Sequence, residues 1–241
     1  MKITVINGTE KHGVTYRLKE IFLSEFQGKA DITEYYLPKD GPHFCTGCTI
    51  CIFKGECNCK DADKIRTIEK SLLDADLIVM TSPAYVFHVT GAMKVFLDHL
   101  AYRWMSHRPA PEMFTKRAVI ITQCAGAGAK SAAKDIAHSL SWWGVSKIGV
   151  FTGALMEDIV WEKLSGQKQT RLTRKVKRLS RKFSRINYAK PASANPITRI
   201  KFFICRAMQT SLHKADPEYL DGSYWAKQGW LGRVRPWQKK M

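Results

Sequence analysis

Short apolar runs that suit buried strands alternate with helical patterns through the first 155 residues, and this alternation constrains the fold more than any other feature. The strand candidates are residues 2–7, 31–37, 76–81, 116–123 and 145–151, and helical spacing of apolar residues occupies residues 15–26, 61–73, 89–102 and 131–143 between them. A regular succession of strand and helix is typical of a parallel sheet with right-handed crossovers. We therefore predict an α/β fold with a doubly wound, five-stranded parallel sheet and helices on both faces.

The rest of the chain predicts one more helix of this domain and then an extension. Apolar residues recur at steps of four and three along residues 169–186, which predicts a helix packed on the sheet by one stripe. Residues 187–196 are rich in Pro, Ala and Asn and are interpreted as a linker. We predict a domain over residues 1–187 and a basic, helical and aromatic C-terminal extension over residues 188–241.

The net charge of +18 belongs almost entirely to the last third of the chain. Residues 163–241 carry 20 of the 39 basic side chains and only 3 of the 21 acidic ones. A basic surface suits nucleic acid or an anionic membrane. Because no nucleic-acid-binding motif is present, we do not expect nucleic acid as a partner, and we interpret the cations of helix 169–186 as a solvated face.

The segment 197–212 is amphipathic and has two interpretations. Its apolar face contains Ile200, Phe203, Ile204, Ala207 and Met208. Phe202, Phe203 and Ile204 would enter the headgroup layer of an anionic membrane, or the helix would dock on the domain or on a partner subunit. We expect docking, with the membrane surface as the alternative.

The cysteines bear on the compartment. No stretch reaches the roughly 18 apolar residues of a membrane span, and the apolar run at the N-terminus is too short for a secretory signal. We therefore expect a cytoplasmic protein. Five of the seven cysteines fall between positions 45 and 59, and in a reducing compartment such crowding indicates metal binding or redox chemistry.

Three loops that follow predicted strands are suited to one ligand. Residues 7–15 offer two glycines, two threonines and a helix N-terminus for a phosphate, although they match neither GxGxxG nor the P-loop. Residues 81–94 offer Tyr85 and Phe87 beside Pro83 as a wall for a flat ring. Residues 124–128 are small and admit a ring edge. Together the loops suit a mononucleotide that carries a large ring system.

One run within these loops is the most specific motif in the chain. It has the form SPxYxxxxTGxMKxFxD and contains Ser82, Pro83, Tyr85, Thr90, Gly91, Met93, Lys94, Phe96 and Asp98. This run resembles the ring-binding segment of the NADPH-dependent FMN reductase family, and the Gly8–Thr15 loop and the junction 142–145 are similar to that family in order and position. The resemblance covers residues 1 to about 155. It implies a flavodoxin-like fold that binds FMN and takes electrons from NAD(P)H.

The resemblance implies binding residues rather than acid–base catalysts. The phosphate would be held by Thr9, Lys11, Gly13, Val14 and Thr15, the ring by Pro83, Ala84, Tyr85 and Phe87, and the far ring edge by Cys124, Ala125 and Gly126. Two positions depart from the family. Val14 replaces a usual Asn near the phosphate, and His88 replaces a usually small residue near the reactive face of the flavin.

The cysteine-rich loop, residues 43–60, contains a compact ligand pattern. Cys45, Cys48, Cys51 and Cys57 are spaced by two, two and five residues. Such spacing suits a [4Fe–4S] cluster, and it resembles that of the iron–sulfur flavoproteins, a branch of the same family. A structural zinc site is the competing interpretation, and free or disulfide-bonded thiols are the third. Cys59 is an additional thiol, so the fourth ligand stays open.

These features predict an FMN-dependent NAD(P)H oxidoreductase. Electrons would pass through flavin, and through a [4Fe–4S] cluster if one is present, to a quinone, flavin or protein acceptor. The alternative is a non-enzymatic electron carrier or cysteine-based redox sensor. Family resemblance also implies a homodimer or larger oligomer.

Overall fold

A computed structural model describes residues 1–238, and its centre is a five-stranded sheet in which all strands are parallel. The strands are β1 (Lys2–Asn7), β2 (Asp31–Tyr36), β3 (Leu77–Pro83), β4 (Arg117–Cys124) and β5 (Lys147–Ala154). Their order is β2-β1-β3-β4-β5, the order of doubly wound flavodoxin-like sheets. The predicted fold class is confirmed. The last three residues of the predicted extension, 239–241, lie outside the described part.

Helices cover both faces of the sheet. They are α1 (Val14–Leu23), α2 (Ile50–Phe53), α3 (Ala62–Asp74), α4 (Gly91–His99), α5 (Ala129–Trp142), α6 (Gly166–Ser184), α7 (Pro196–Ala215) and α8 (Leu220–Lys227). One core layer joins the sheet to α3, α4 and α5, and a second joins it to α1 and α6. Within residues 1–238, no helix combines the length and the apolar character that crossing a membrane requires.

The carboxyl ends of β1 and β3 lie side by side, and this pairing positions the first two ligand loops. Asn7 pairs with Thr81 in the sheet. Gly8 donates its N–H to the carbonyl of Thr81 at 2.7 Å, and a Cβ on Gly8 would lie 2.9 Å from the same oxygen. The strand order reverses its direction between β1 and β3, and open α/β sheets bind ligands at such a point.

The helix α6 packs tightly on the edge strand β5 because that strand presents glycines to it. A Cβ on Gly149 would lie 2.5 Å from the ring of Phe183, and one on Gly153 would lie 3.4 Å from Leu172. Leu172, Val176 and Phe183 are buried in this layer. The predicted stripe therefore faces the sheet, as expected.

The C-terminal extension packs on the domain through an aromatic cluster. Phe202 is fully buried against Trp225 and Trp230 of the extension and against Phe114 of the domain. The indole N–H of Trp225 donates to the carbonyl of His107 at 2.7 Å. These contacts extend the fold beyond the five-stranded core.

The face by which α7 packs differs from the predicted one. Its buried residues are Thr198, Phe202, Cys205 and Gln209, whereas Ile200, Phe203, Ile204 and Met208 are exposed. In the membrane alternative Phe202 would enter the headgroup layer, and its full burial contradicts that part of the alternative. Trp225 and Trp230, which are distant from Phe202 in sequence, form the apolar surface against which Phe202 packs. The face of α7 that contains Phe202 therefore faces inward, although it is the less apolar of the two faces.

Candidate functional site

A cavity of about 260 Å³ lies where the carboxyl ends of β1, β3 and β4 meet, and we call it the switch-point cavity. It is lined by Thr9, Lys11, Gly13, Val14, Thr15, Pro83, Ala84, Tyr85, Gln123, Cys124, Ala125 and Ile159. Ten of the twelve predicted cofactor-binding residues are in this lining. Phe87 and Gly126 lie outside it. The structure thus gathers the three predicted loops around one space, while the role of each residue stays a prediction.

The start of α1 leaves hydrogen-bonding groups free for a ligand. The N-cap is Gly13, so Thr15 does not cap the helix, and no side chain within residues 1–238 caps it instead. The Thr15 hydroxyl is buried and finds no partner among the described residues. A buried polar atom without a partner is costly, so a ligand atom at this place would offset that cost. An anion fits there, because the amides at a helix N-terminus attract negative charge.

Ser82 and Thr90 of the SPxY…TG run serve as scaffold instead of lining the cavity. The Thr90 hydroxyl donates to the carbonyl of Gly8 at 2.5 Å and accepts from the amide of Met93 at 3.2 Å, which caps α4. The Ser82 hydroxyl accepts from the amide of Thr90 at 3.1 Å. The motif therefore ties the phosphate-side loop to the ring-side loop.

The predicted ring wall is a tight turn under backbone strain. Tyr85 and His88 exchange backbone hydrogen bonds of 2.9 and 3.0 Å, and the residues between them, Val86 and Phe87, have φ of 49° and 67°. Left-handed conformations are costly for a β-branched residue such as valine. The turn holds Val86 and Phe87 exposed, at 91% and 60%. Strain of this kind is typical of ligand-binding segments.

Two lining residues were missed by the sequence analysis. Gln123 is the last residue but one of the strand β4, and its buried side-chain oxygen has no hydrogen-bond partner within residues 1–238. Its polar side chain near the end of an apolar strand is the feature of the sequence that marks it. Ile159 lies in an irregular segment, and it is 64% exposed. No local pattern marks Ile159.

A buried ion pair supports the phosphate-side loop from behind. The Lys19 ammonium is fully buried and donates to the Glu34 carboxylate at 2.5 Å, which also accepts from the Asn7 amide at 2.9 Å. Burial raises the pKa of Glu34, but the hydrogen bonds from Lys19, Asn7 and Tyr36 and the charge of Lys19 together outweigh burial, and the net pKa is lowered. Burial lowers the pKa of Lys19, but its hydrogen bonds to Glu34 and Glu20 and the negative charges of both together outweigh burial, and the net pKa is raised. Both groups are therefore charged at neutral pH.

The cysteine-rich loop lies apart from the lining of the switch-point cavity. Cys45, Cys48 and Cys57 are exposed, and Cys51 and Cys59 are half-buried. Burial raises the pKa of the Cys51 thiol, and so do the neighbouring thiols of Cys59, Cys45 and Cys48. In the part of the chain that the structure describes, no three His, Cys, Asp or Glu side chains are arranged to hold a metal ion. The described geometry therefore does not support the predicted ligand set.

The extension anchors the cysteine-rich loop through one buried charge. The Arg108 guanidinium, 3% exposed, donates to the carbonyls of Cys51 and Ile52 in α2. The same guanidinium forms an ion pair with the fully buried Asp221 of α8. Asp221 also accepts from His107 at 2.7 Å. Neither Arg108 nor Asp221 was a candidate in the sequence analysis, because each is an isolated charge in its segment.

Comparison with known proteins agrees with this geometry. Residues 1–156 match the NADPH-dependent FMN reductase family. An iron–sulfur flavoprotein of Archaeoglobus fulgidus is 24% identical over 153 residues, 63% of this chain and 67% of that protein. A second iron–sulfur flavoprotein of the same organism is 35% identical over 99 residues, 41% of this chain and 48% of that protein. The chain therefore spans two thirds of one such relative and about half of the other.

Azoreductases are also similar. The NADPH azoreductase of Bacillus sp. (strain OY1-2) is 26% identical over 169 residues, 69% of this chain and 80% of that protein. The solved structure of an FMN-dependent NADH-azoreductase from Bacillus anthracis, in complex with FMN, has a TM-score of 0.59 and 12% identity, and covers 76% of this chain and all of that one. That likeness shows the fold alone. Because the family match includes well over half of its residues, the chain belongs to the NADPH-dependent FMN reductase family of flavodoxin-like oxidoreductases.

Proposed function

We propose that the protein is an FMN-dependent NAD(P)H oxidoreductase whose flavin occupies the switch-point cavity. The observation that carries this proposal is the pair of buried, unpartnered oxygen atoms of Thr15 and Gln123, which both line that cavity. Family membership supports the same cofactor. When bound, FMN supplies the redox chemistry, because it accepts a hydride from a reduced nicotinamide and passes electrons to an acceptor.

The residues of the chain bind and orient in this proposal. Thr9, Lys11, Gly13, Val14 and Thr15 line the phosphate end, where the amides of α1 and the Thr15 hydroxyl satisfy an anion. Val14 contributes its backbone amide, and its side chain is buried in the core. Pro83, Ala84 and Tyr85 face the ring, and Cys124, Ala125 and Gly126 form its far edge. Phe87 shields the ring from water at the rim.

The acceptor is proposed to be a quinone, a free flavin, a protein or an azo compound. The azo class comes from the azoreductase relatives. Exposed apolar side chains at and near the rim favour a second subunit, because isolated exposed residues are common but groups of them mark interfaces. This group contains Tyr85, Val86, Phe87, Met156 and Ile159. We therefore propose a homo-oligomer with the cavity near the subunit contact.

The experiment that tests this proposal compares flavin binding and turnover in matched variants. The flavin-loaded protein should oxidise NADPH or NADH with a quinone, flavin or azo acceptor. Thr15→Val should weaken FMN binding by about tenfold, since it removes one hydrogen bond to a charged group. Thr67→Val is the control, because Thr67 is exposed and its hydroxyl donates to the carbonyl of Asp63 in its own helix. Absence of turnover in the fully flavinated protein would contradict the proposal.

We also propose the cysteine-rich loop as a site for a [4Fe–4S] cluster. The support is the spacing of Cys45, Cys48, Cys51 and Cys57 and the iron–sulfur relatives, and no step of the reaction is assigned to it. Anaerobic iron, sulfide and zinc analysis should find four iron atoms per chain if the spacing argument holds. Cys57→Ser and Cys59→Ser then decide the fourth ligand. One zinc atom per chain would reassign the site, and no metal would leave free thiols.

The second candidate is a non-enzymatic electron carrier or cysteine-based redox sensor. The exposure of Cys45, Cys48 and Cys57 favours it, because sensor cysteines are accessible. The crowded thiols also favour a reducing compartment such as the cytoplasm. A sensor would show reversible thiol oxidation and no steady NAD(P)H turnover, which separates the two candidates.

A further inference from the structure

A second cavity, of about 560 Å³, lies beside the switch-point cavity, and we call it the basic cavity. Small residues of the segments 126–129 and 152–154 form one part of its lining, and α6 forms another. Cys124 lines both cavities, so the two are neighbours. The volume is within the range of cavities that hold a molecule the size of a nucleotide.

Four cations line the basic cavity. Lys168, Arg171 and Lys175 come from α6 at spacings of three and four residues, which places them on one helix face, and Lys130 comes from α5. Within residues 1–238, none of the four forms an ion pair with a carboxylate. The carboxylate of Glu157, near the start of α6, instead accepts from Ser165 at 2.9 and 3.1 Å. The cavity is therefore strongly positive.

The start of α5 increases this positive potential. Its N-cap is Gly128, no side chain of the described residues caps it, and its first turn has no acidic residue. The first turn contains Lys130, although a cation is unfavourable at a helix N-terminus because of the macrodipole. Lys130 therefore lowers the stability of α5 at this end of the helix. A bound anion would offset both the uncapped amides and the repulsion among the cations.

We propose that the basic cavity binds the anionic group of a substrate whose reacting part lies against the flavin at the mouth of the switch-point cavity. The shared chemistry is a phosphate or sulfonate, and two sources carry it: the phosphate of a reduced nicotinamide nucleotide, or the charged group of an aromatic acceptor. This inference extends the proposed function and rests on it, because it requires that flavin binds in the neighbouring switch-point cavity. It also assigns a role to cations of α6 that composition alone presents as a solvated surface.

The test uses direct binding of two probes, measured by calorimetry on the protein as purified. The probes are adenosine 2′,5′-bisphosphate and a sulfonated azo dye. The test variant is Arg171→Gln with Lys175→Gln, and the matched control is Arg178→Gln with Lys182→Gln, which removes the same charges from exposed positions of α6 outside the cavity. Because all four side chains are exposed, both variants should fold, which their unfolding midpoints will verify.

The wild type and the control should bind at least one probe, and the test variant should bind it about tenfold more weakly or worse. Loss of the bisphosphate, with a raised KM for NADPH and an unchanged KM for NADH, identifies the nucleotide as the source. Loss of the dye, with a raised KM for that dye, identifies the acceptor.

If the wild type binds neither probe, or the test variant binds as the control does, the inference is overturned. If the test variant loses probe binding but the wild-type protein shows no flavin turnover, the proposed function is refuted. The inference that the basic cavity binds an anion is then still supported.

Discussion

Gly8 is the residue at which the loop after β1 is most tightly packed, and it provides a sharp test. Gly8→Ala would place a Cβ 2.9 Å from the Thr81 carbonyl oxygen and 3.1 Å from the hydroxyls of Ser82 and Thr90. We expect a loss of about 1–3 kcal/mol in the free energy of unfolding, together with weaker FMN retention. Denaturant unfolding and flavin content measure these effects.

Gly13→Ala is the matched control for the loss of stability, because no described residue lies within 4 Å of its Cβ position and its φ is −88°. We expect a change of about 0.5 kcal/mol or less. Equal effects of the two substitutions would contradict the packing argument.

The Lys19–Glu34 pair predicts a pH dependence of stability. The pKa of Glu34 is lowered in the folded protein, so its contribution is present above its ordinary pKa of 4.5 and is lost as the pH falls through the folded value. Because Lys19 keeps its pair with Glu20, Glu34→Gln should lower the free energy of unfolding by about 1.5–3 kcal/mol at pH 7, the range for hydrogen bonds to a charged group, and by less at pH 3. Denaturant titrations at both pH values measure the difference.

The control for the ion pair is Asp63→Asn, which breaks an exposed pair with Arg66 and should change stability by about 0.5 kcal/mol or less. A Glu34→Gln effect that is the same at pH 7 and pH 3 would show that charge is not its cause.

At the scale of elements, α7 contains neighbouring phenylalanines with opposite environments. Phe202 is fully buried in the aromatic cluster, and Phe203 is 46% exposed. Phe202→Ala should lower the free energy of unfolding by about 3–5 kcal/mol, and Phe203→Ala by about 0.5 kcal/mol. Denaturant unfolding with tryptophan fluorescence reports on both, since Trp225 and Trp230 contact Phe202. Similar losses for the two variants would mean that α7 does not pack by this face.

The elements of the sheet follow directly from sequence, but those of the extension do not. Strands such as Leu77–Pro83 are buried along their whole length, so their composition alone marks them. The helix α8 was not predicted, because only its burial against the domain organises residues 220–227. The orientation of α7 depends on Trp225 and Trp230 in the same way. Contacts between distant segments produce no local periodicity in the sequence, so neither α8 nor the orientation of α7 could be predicted from it.

The same distinction explains which parts of the candidate site were predictable. The ten lining residues that were predicted lie in the loops after β1, β3 and β4 or at the ends of the strands and helix that border them, where chain topology converges. The basic cavity was missed, because α6 is cationic all around its outer surface and its sequence does not mark which cations face α5. The separation of Lys168, Arg171 and Lys175 from the other cations appears only when β5 and α5 are in place.

At the scale of the whole molecule, Asp221 should control the cysteine-rich loop. Asp221→Asn removes the fully buried carboxylate beside the Arg108 guanidinium and leaves it paired with the partly exposed Glu56, so we expect a loss of about 3 kcal/mol in stability. Alkylation of the half-buried thiols of Cys51 and Cys59 should accelerate, as mass spectrometry at each cysteine can measure. Glu218→Gln, an exposed change just before α8, should leave the rates unchanged. Unaltered alkylation rates in Asp221→Asn would show that the extension does not hold the cysteine-rich loop in place.

The pairing of Arg108 with Asp221 also sets an order of events during biosynthesis. The two residues are 113 positions apart, and the cysteine-rich loop precedes both of them. The cysteines of the loop are therefore synthesised well before the Asp221 carboxylate that helps to anchor the loop. The loop can therefore gain this anchor only after residue 221 has been synthesised. Any metal that reached the nascent chain before α8 was made would meet a loop without this anchor, so we expect metal loading to follow the synthesis of α8.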